Sequence, residues 1–102
     1  MNEGDMVIFL GRLRTEPELR YTQKQKPVCY LSVAVNDNPG NKAVWHKVVI
    51  WGKQAELAKQ YLKKGNEIFV QGRKQVKSFM TSEGFAKKYQ EVRAKLVGFS
   101  NL

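Results

Sequence analysis

Trp45-His-Lys-Val-Val-Ile-Trp-Gly-Lys53, running on into Gln54-Ala-Glu-Leu-Ala-Lys-Gln-Tyr-Leu-Lys-Lys-Gly65, is the stretch whose reading decides the fold. Ala43 to Trp51 is rich in β-branched and aromatic residues and has the length of a strand. Alternation puts Trp45, Lys47, Val49 and Trp51 on one face and Val44, His46, Val48 and Ile50 on the other. A lysine between two tryptophans suits a half-exposed face, because a buried ammonium must be paired or neutralised. Flat aromatic surfaces on such a face can stack on unpaired bases while the ammonium attracts phosphate. Lys53 to Lys64 reads as one short helix, with Leu57, Ala58, Tyr61 and Leu62 as its buried stripe. Gly65 is the expected left-handed stop, and Lys63 and Lys64 suit the negative end of the helix dipole.

Outward from this stretch, the chain alternates strand patterns with turn signals. Met6 to Leu13 is the first strand, interrupted at Gly11, where a small barrel would turn a corner. Thr15 to Thr22 is expected as a polar connection punctuated by Pro17, and Gln23 to Pro27 as a solvated turn. Val28 to Val35 is the second strand, with Cys29, Leu31, Val33 and Val35 inward. Asn36 to Lys42 is the densest turn signal and should form an exposed loop before strand three. Glu67 to Val76 is the fourth strand, with a bend at Gly72. Ser78 to Lys88 is the hairpin tip and Tyr89 to Phe99 the fifth strand. The predicted fold is therefore all-β with one helix: an OB-fold, a five-stranded Greek-key barrel with the helix between strands three and four. An open α+β sheet is the alternative. The 102 residues form a single domain without repeat, linker or low-complexity segment.

Composition narrows the function. The 18 Lys and Arg against 9 Asp and Glu give a net charge of +9, which points to a polyanion, with nucleic acid ahead of an anionic membrane. No apolar run reaches the length that spans a bilayer, and neither a secretion signal nor a transit peptide is evident, so a cytoplasmic location is expected. One cysteine, Cys29, excludes an internal disulfide framework, and one histidine, His46, excludes the usual Cys/His zinc site within the chain. No metal and no cofactor are expected. Glu16 and Glu18 are the only close carboxylates in a loop and have no histidine beside them, so the chain does not read as an enzyme. A metal-dependent nuclease on the same fold is the enzymatic alternative.

Three stretches resemble the bacterial-type single-stranded DNA-binding proteins: Gly11 to Thr22, Trp45 to Gly65 and Ile68-Phe-Val-Gln-Gly72. The resemblance covers nearly the whole chain in order. It implies an OB-fold that assembles as a homotetramer, with a dimer as the alternative. It also implies wrapping of single-stranded DNA without sequence readout, in replication, recombination or repair. By this resemblance Trp45 and Trp51 correspond to base-stacking aromatics, the second a Phe in many relatives, and Phe79 stands where a Trp is common. Arg20, Lys47, Lys53, Lys63 and Arg73 correspond by position to phosphate contacts.

Tyr30 and Phe69 are further candidates that could equally pack, and the two tryptophans could themselves be core residues. Lys24, Lys26, Lys87 and Lys88 either flank the nucleic-acid path or are solvated charge. The resemblance makes His46 a subunit contact. Two departures stand out. The loop Asn36 to Lys42 lacks the aromatic often found there. The sequence runs to Val97-Gly-Phe-Ser-Asn-Leu102 where the family has a flexible linker and an acidic tip. A tail-less variant is expected, with tail-mediated partners in doubt. The alternative function is an OB-fold adaptor of a primosome or mobile element in which DNA binding is secondary, and single-stranded RNA is an alternative ligand.

Overall fold

A computed structural model describes residues 4–35 and 42–99. In chain order the elements are β1 (Met6–Leu13), β2 (Glu18–Tyr21), β3 (Pro27–Val35), β4 (Val44–Trp51), α1 (Lys53–Tyr61), β5 (Glu67–Met80) and β6 (Ala86–Phe99). The sheet order is β1-β5-β6-β4-β3-β2, and a further β1–β3 pairing closes five of the strands into a barrel. All pairings are antiparallel except β4 with β6. The five-stranded barrel expected of the OB-fold is therefore present, with the helix between β4 and β5.

The extra strand is a correction to the expected polar connection. Glu18–Tyr21 pairs with the start of β3, Leu19 opposite Cys29 and Arg20 opposite Val28. Only Leu19 in this segment packs against the core, so its alternation is too short to read from sequence. What holds it is the helix and the turn after it: Lys59 Nζ donates to the Pro17 carbonyl at 2.9 Å, Tyr21 Oη to Glu56 Oε2 at 2.9 Å, and the Lys64 amide to Glu16 Oε2 at 3.3 Å. The Glu16–Glu18 pair is thus used structurally, Glu16 on the Lys64 amide and Glu18 on Arg20.

Both strand glycines are required by close approach. A Cβ on Gly11 would lie 2.6 Å from Val33 Cγ1 and 2.7 Å from the Ala34 carbonyl oxygen, where β1 crosses onto β3. At Gly72 it would lie 2.3 Å from the Arg93 carbonyl oxygen, beside the register shift between Gln71 and Gly72. A bulge there increases the local twist and lets β5 curve around the barrel. The core is built on Leu13, Leu31, Val33, Val48, Ile50, Ile68 and Val70, with Cys29, Ala55, Ala58 and Leu62 among the residues packed with them.

The helix departs from expectation at its end and on its face. Helix α1 stops at Tyr61, and Leu62, already extended, donates its amide to the Ala58 carbonyl. Gly65 has φ +92° but serves the following turn, where the Lys63 amide is bound by Asn66 Oδ1 at 2.8 Å and the Gly65 amide by the Leu13 carbonyl at 2.8 Å. The buried face is Ala55, Ala58 and Leu62, whereas Leu57 and Tyr61 of the expected stripe are exposed. They line a groove with Leu96, Val97 and Gly98. The expected hairpin tip, Ser78 to Lys88, shrinks to 81–85 because both strands run 14 residues. The expected loop Asn36 to Lys42 lies, except for Lys42, outside the described residues. No described helix is long and apolar enough to cross a membrane.

Candidate nucleic-acid interface

Strand register gathers the predicted site onto one outer face. In β4, Trp45, Lys47, Val49 and Trp51 lie opposite Ala34, Ser32, Tyr30 and Val28 of β3. β2 adds Glu18 and Arg20 in register with Tyr30 and Val28, and β6 adds Arg93 beside Val49. Alternation along the β5–β6 pairing then brings Arg73, Gln75, Lys77 and Phe79, opposite Arg93, Glu91, Tyr89 and Lys87, to the same side. Trp45 is 47 % exposed and Trp51 half-buried, so neither is a core tryptophan. Val49 between them is buried under this face.

The aromatic rings on the face are overlaid by cations. The Arg14 guanidinium lies 4.4 Å from the Trp45 ring centre, and Lys26 Nζ 5.5 Å from that of Trp51. Lys47 Nζ lies 5.5 Å from the Tyr30 ring centre and 4.7 Å from that of Tyr89. Arg20 stands 5.7 Å over Tyr30. Phe79 and Tyr89 meet at 5.8 Å with tilted planes. Each contact draws the positive head onto the electron-rich ring face, so that cations and rings share one surface. Two clefts mark the face. One of about 420 Å³ lies among Glu18, Tyr30, Ser32, Trp45 and Lys47. The other, of about 430 Å³, lies among Trp51, Gln54, Arg73, Arg93 and Lys95.

Not every candidate sits equally. Arg20 donates Nε to Glu18 Oε2 at 2.8 Å and a second N–H to the same oxygen; that hydrogen bond, and next the Glu18 charge, hold its pKa above the usual value. Arg73 donates to the Gly4 carbonyl at 3.1 Å while lining the Trp51 cleft. Lys53 is exposed at the first turn of α1, two residues from Trp51. Lys63 is exposed in the turn after the helix, apart from the aromatic group. Phe69 is half-buried between Leu10 of β1 and Gly98 of β6, on an apolar side of the barrel, and does not join the stacking residues. His46 points to the other face of β4 and stacks on Phe9 with ring centres 4.4 Å apart.

Three residues of this face escaped sequence reasoning. Tyr89 and Arg93 share the parity of Lys87, a pattern visible in the sequence, but only the β5–β6 and β4–β6 registers turn that parity toward Trp45. Arg14 lies just beyond β1 and reaches Trp45 because its amide donates to the Ser32 carbonyl at 2.9 Å. Among the described residues no group of three or more His, Cys, Asp or Glu is placed to hold a metal ion.

Comparison with known proteins agrees with this geometry. The family model described as the single-strand binding protein family matches residues 5–100. A "Single-stranded DNA-binding protein 1" of Chlorobaculum tepidum is 36% identical over 90 residues, covering 81% of this chain and 56% of that protein. A "Single-stranded DNA-binding protein" of Neisseria meningitidis serogroup A is 35% identical over 105 residues, covering 93% of this chain and 60% of that protein. The chain thus spans less than two thirds of the length of these relatives.

Proposed function

This chain belongs to the single-strand binding protein family, and we propose that it binds single-stranded DNA without reading its sequence, by base stacking and phosphate contact, protecting the strand during replication, recombination or repair. The observation that carries this reading is the outer face on which Trp45, Tyr30, Tyr89 and Trp51 each lie under a cationic group. A base slides onto the ring and the displaced ammonium or guanidinium swings outward to the adjoining phosphate, so each nucleotide gains a stack and a charge contact together. Trp45 and Trp51 are the principal stacking surfaces, with Phe79 and Tyr30 beside them. Lys47, Lys53, Arg73 and Arg93 follow the backbone, Arg20 only in competition with Glu18. Phe69 and Lys63, away from this group, contribute little. No base edge needs to be read, and no catalytic step is assigned to the chain.

The active form is a homo-oligomer, a tetramer or a dimer, and acts in the cytoplasm on nucleoid DNA. Support for self-association is the outer face of β1, where Met6, Ile8 and Leu10 are all exposed beside Leu96. Large apolar faces of this kind mark contacts between molecules.

The test is intrinsic tryptophan fluorescence during titration with oligo-dT and with a duplex of equal length, at several salt concentrations. Strong quenching by oligo-dT and weak quenching by duplex are expected, with affinity falling about 0.7 log units per log unit of salt for each phosphate neutralised. Trp45→Ala and Trp51→Ala should each weaken binding by about 1–3 kcal/mol with the salt slope unchanged, whereas Lys47→Ala should lower the slope. Folded tryptophan variants that bind as tightly as the parent would refute stacking. Equal, salt-labile binding to both nucleic acids with little quenching would put the adaptor reading first.

A further inference from the structure

The β5–β6 hairpin extends past the barrel, and single-strand binding does not use all of it. From Gln75 to Met80 and from Ala86 to Glu91 the two strands pair only with each other among the described residues, making an arm of six residue pairs, about 20 Å long. Its tip is locked. The Thr81 amide donates to the Phe85 carbonyl at 2.8 Å, the Phe85 amide to Thr81 Oγ1 at 3.1 Å and the Gly84 amide to the Thr81 carbonyl at 3.0 Å. Gly84, at φ +90°, supplies the left-handed residue this turn needs. On this fixed tip Phe85 and Met80 are each 67 % exposed, and Val76 is 64 % exposed.

Two features single the tip out. It is apolar on both sides. Phe79, opposite Lys87, falls on the stacking face, Val76 and Met80 fall on the opposite face, and Phe85 stands in the turn that joins the two strands. A path for one strand needs only the first of these. The arm also carries Lys77, Lys87 and Lys88, with Lys74 just before it, against Glu83 near the tip and Glu91 at the base. A rigid, two-faced apolar tip flanked by lysines matches an opening with bases on both sides and phosphates along both edges. That opening exists where the two strands of a duplex part. Apolar side chains inserted between base steps, with cations on the backbone, are an established way for proteins to hold unstacked DNA.

We propose that the β5–β6 arm recognises the junction between single- and double-stranded DNA, with Met80 and Phe85 as a wedge against the terminal base pair and Lys87 and Lys88 on the two diverging backbones. The single strand leaving the wedge runs over Phe79 and Tyr89 toward Lys47 and Trp45, because Phe79 contacts Tyr89 and Tyr89 lies under Lys47. The proposal rests on the single-strand reading of that face and adds a structural preference to it.

The experiment compares three ligands for the full chain: an oligo-dT, a blunt hairpin duplex, and the same hairpin carrying that oligo-dT as an overhang. 2-Aminopurine at the terminal base pair of the tailed hairpin reports its unstacking. The tailed hairpin should bind about fivefold or more tighter than oligo-dT alone, the gain expected of one further base–aromatic contact, and 2-aminopurine should brighten. The double variant Met80→Ser with Phe85→Ser, both positions exposed and neither on the strand face that carries Phe79 and Tyr89, should abolish the gain and the brightening. Its oligo-dT affinity should stay within about twofold, since surface substitutions of this kind change stability little. Equal affinity for tailed hairpin and oligo-dT, or an unchanged junction preference in the variant, would overturn the wedge. So would a variant that alters only the sedimenting mass, which would make the tip a subunit contact. Weak binding to oligo-dT itself would instead overturn the single-strand reading, so the two failures are distinguishable.

Discussion

Glu18 and Arg20 face the same side of β2 and are tied by two hydrogen bonds to one carboxylate oxygen, so the arginine meets DNA already partnered. Glu18→Gln should release it. The salt slope for oligo-dT should then steepen by about 0.7, one further phosphate, which titrations at a series of salt concentrations would detect. Cys29 behaves in the opposite way, as a residue the solvent does not reach. Burial is the main cause that pushes its thiol up from 9.0 to about 11. Because the folded value is the higher one, the fold favours the protonated thiol. Stability from this source is complete below pH 9 and is lost as pH rises toward about 11, by up to about 1.4 kcal/mol per pH unit. Urea midpoints at pH 8 and pH 10 should therefore fall further for the parent than for Cys29→Ala. Residues such as these show what alternation can and cannot deliver. It placed Trp45 and Lys47 outside and Cys29 inside, because each side of a strand needs only its own neighbours to be read. Arg20 was legible as a cation and illegible as a partnered one, since its partner emerges only when Glu18–Tyr21 forms a strand.

Elements of this chain are set by places where the backbone has no room to spare. Gly72 is the sharpest case, its missing Cβ directed at the Arg93 carbonyl and the Ala94 Cα across the bulge. Gly72→Ala should destabilise the fold by about 1–3 kcal/mol, the usual cost of forcing extra volume into a filled site. Thermal unfolding should show this as a fall of about 4–8 °C per kcal/mol. The glycine breaks in both long strands were readable because they interrupt apolar runs, and the element order from β3 to β5 followed from a helical period inserted between strand periods. The short β2 was not readable. Its stability comes from Lys59, Glu56 and Lys64 on and after the helix, more than thirty residues away. The same limit applies to Leu57 and Tyr61: their spacing matches a buried stripe, yet Ala55, Ala58 and Leu62 occupy the contact with the barrel, because the small alanines bring the helix close.

Among the described residues one apolar side of the barrel is exposed. Met6, Ile8 and Leu10 point outward from β1 while Val7 and Phe9 pack on the core. In register with them across β5 and β6 lie Gln71 with Leu96 and Phe69 with Gly98. An exposed apolar face of this kind marks a contact between molecules, and in solution it is expected to be covered by a second copy. Ile8, 61 % exposed at the centre of the row, is the position to test. The parent should sediment as a multiple of the 11.7 kDa chain, and Ile8→Glu should move it toward the single chain while leaving thermal unfolding of the barrel nearly unchanged. Its consequence for DNA follows from linkage between sites. One barrel offers a short path, and joined barrels make each later contact intramolecular, worth about 10²- to 10⁴-fold in apparent affinity. Ile8→Glu should therefore bind a short oligo-dT as the parent does and lose affinity steeply as the oligonucleotide lengthens. A parent that sediments as one chain, or a variant whose loss is the same at every length, would place the source of affinity within the single barrel.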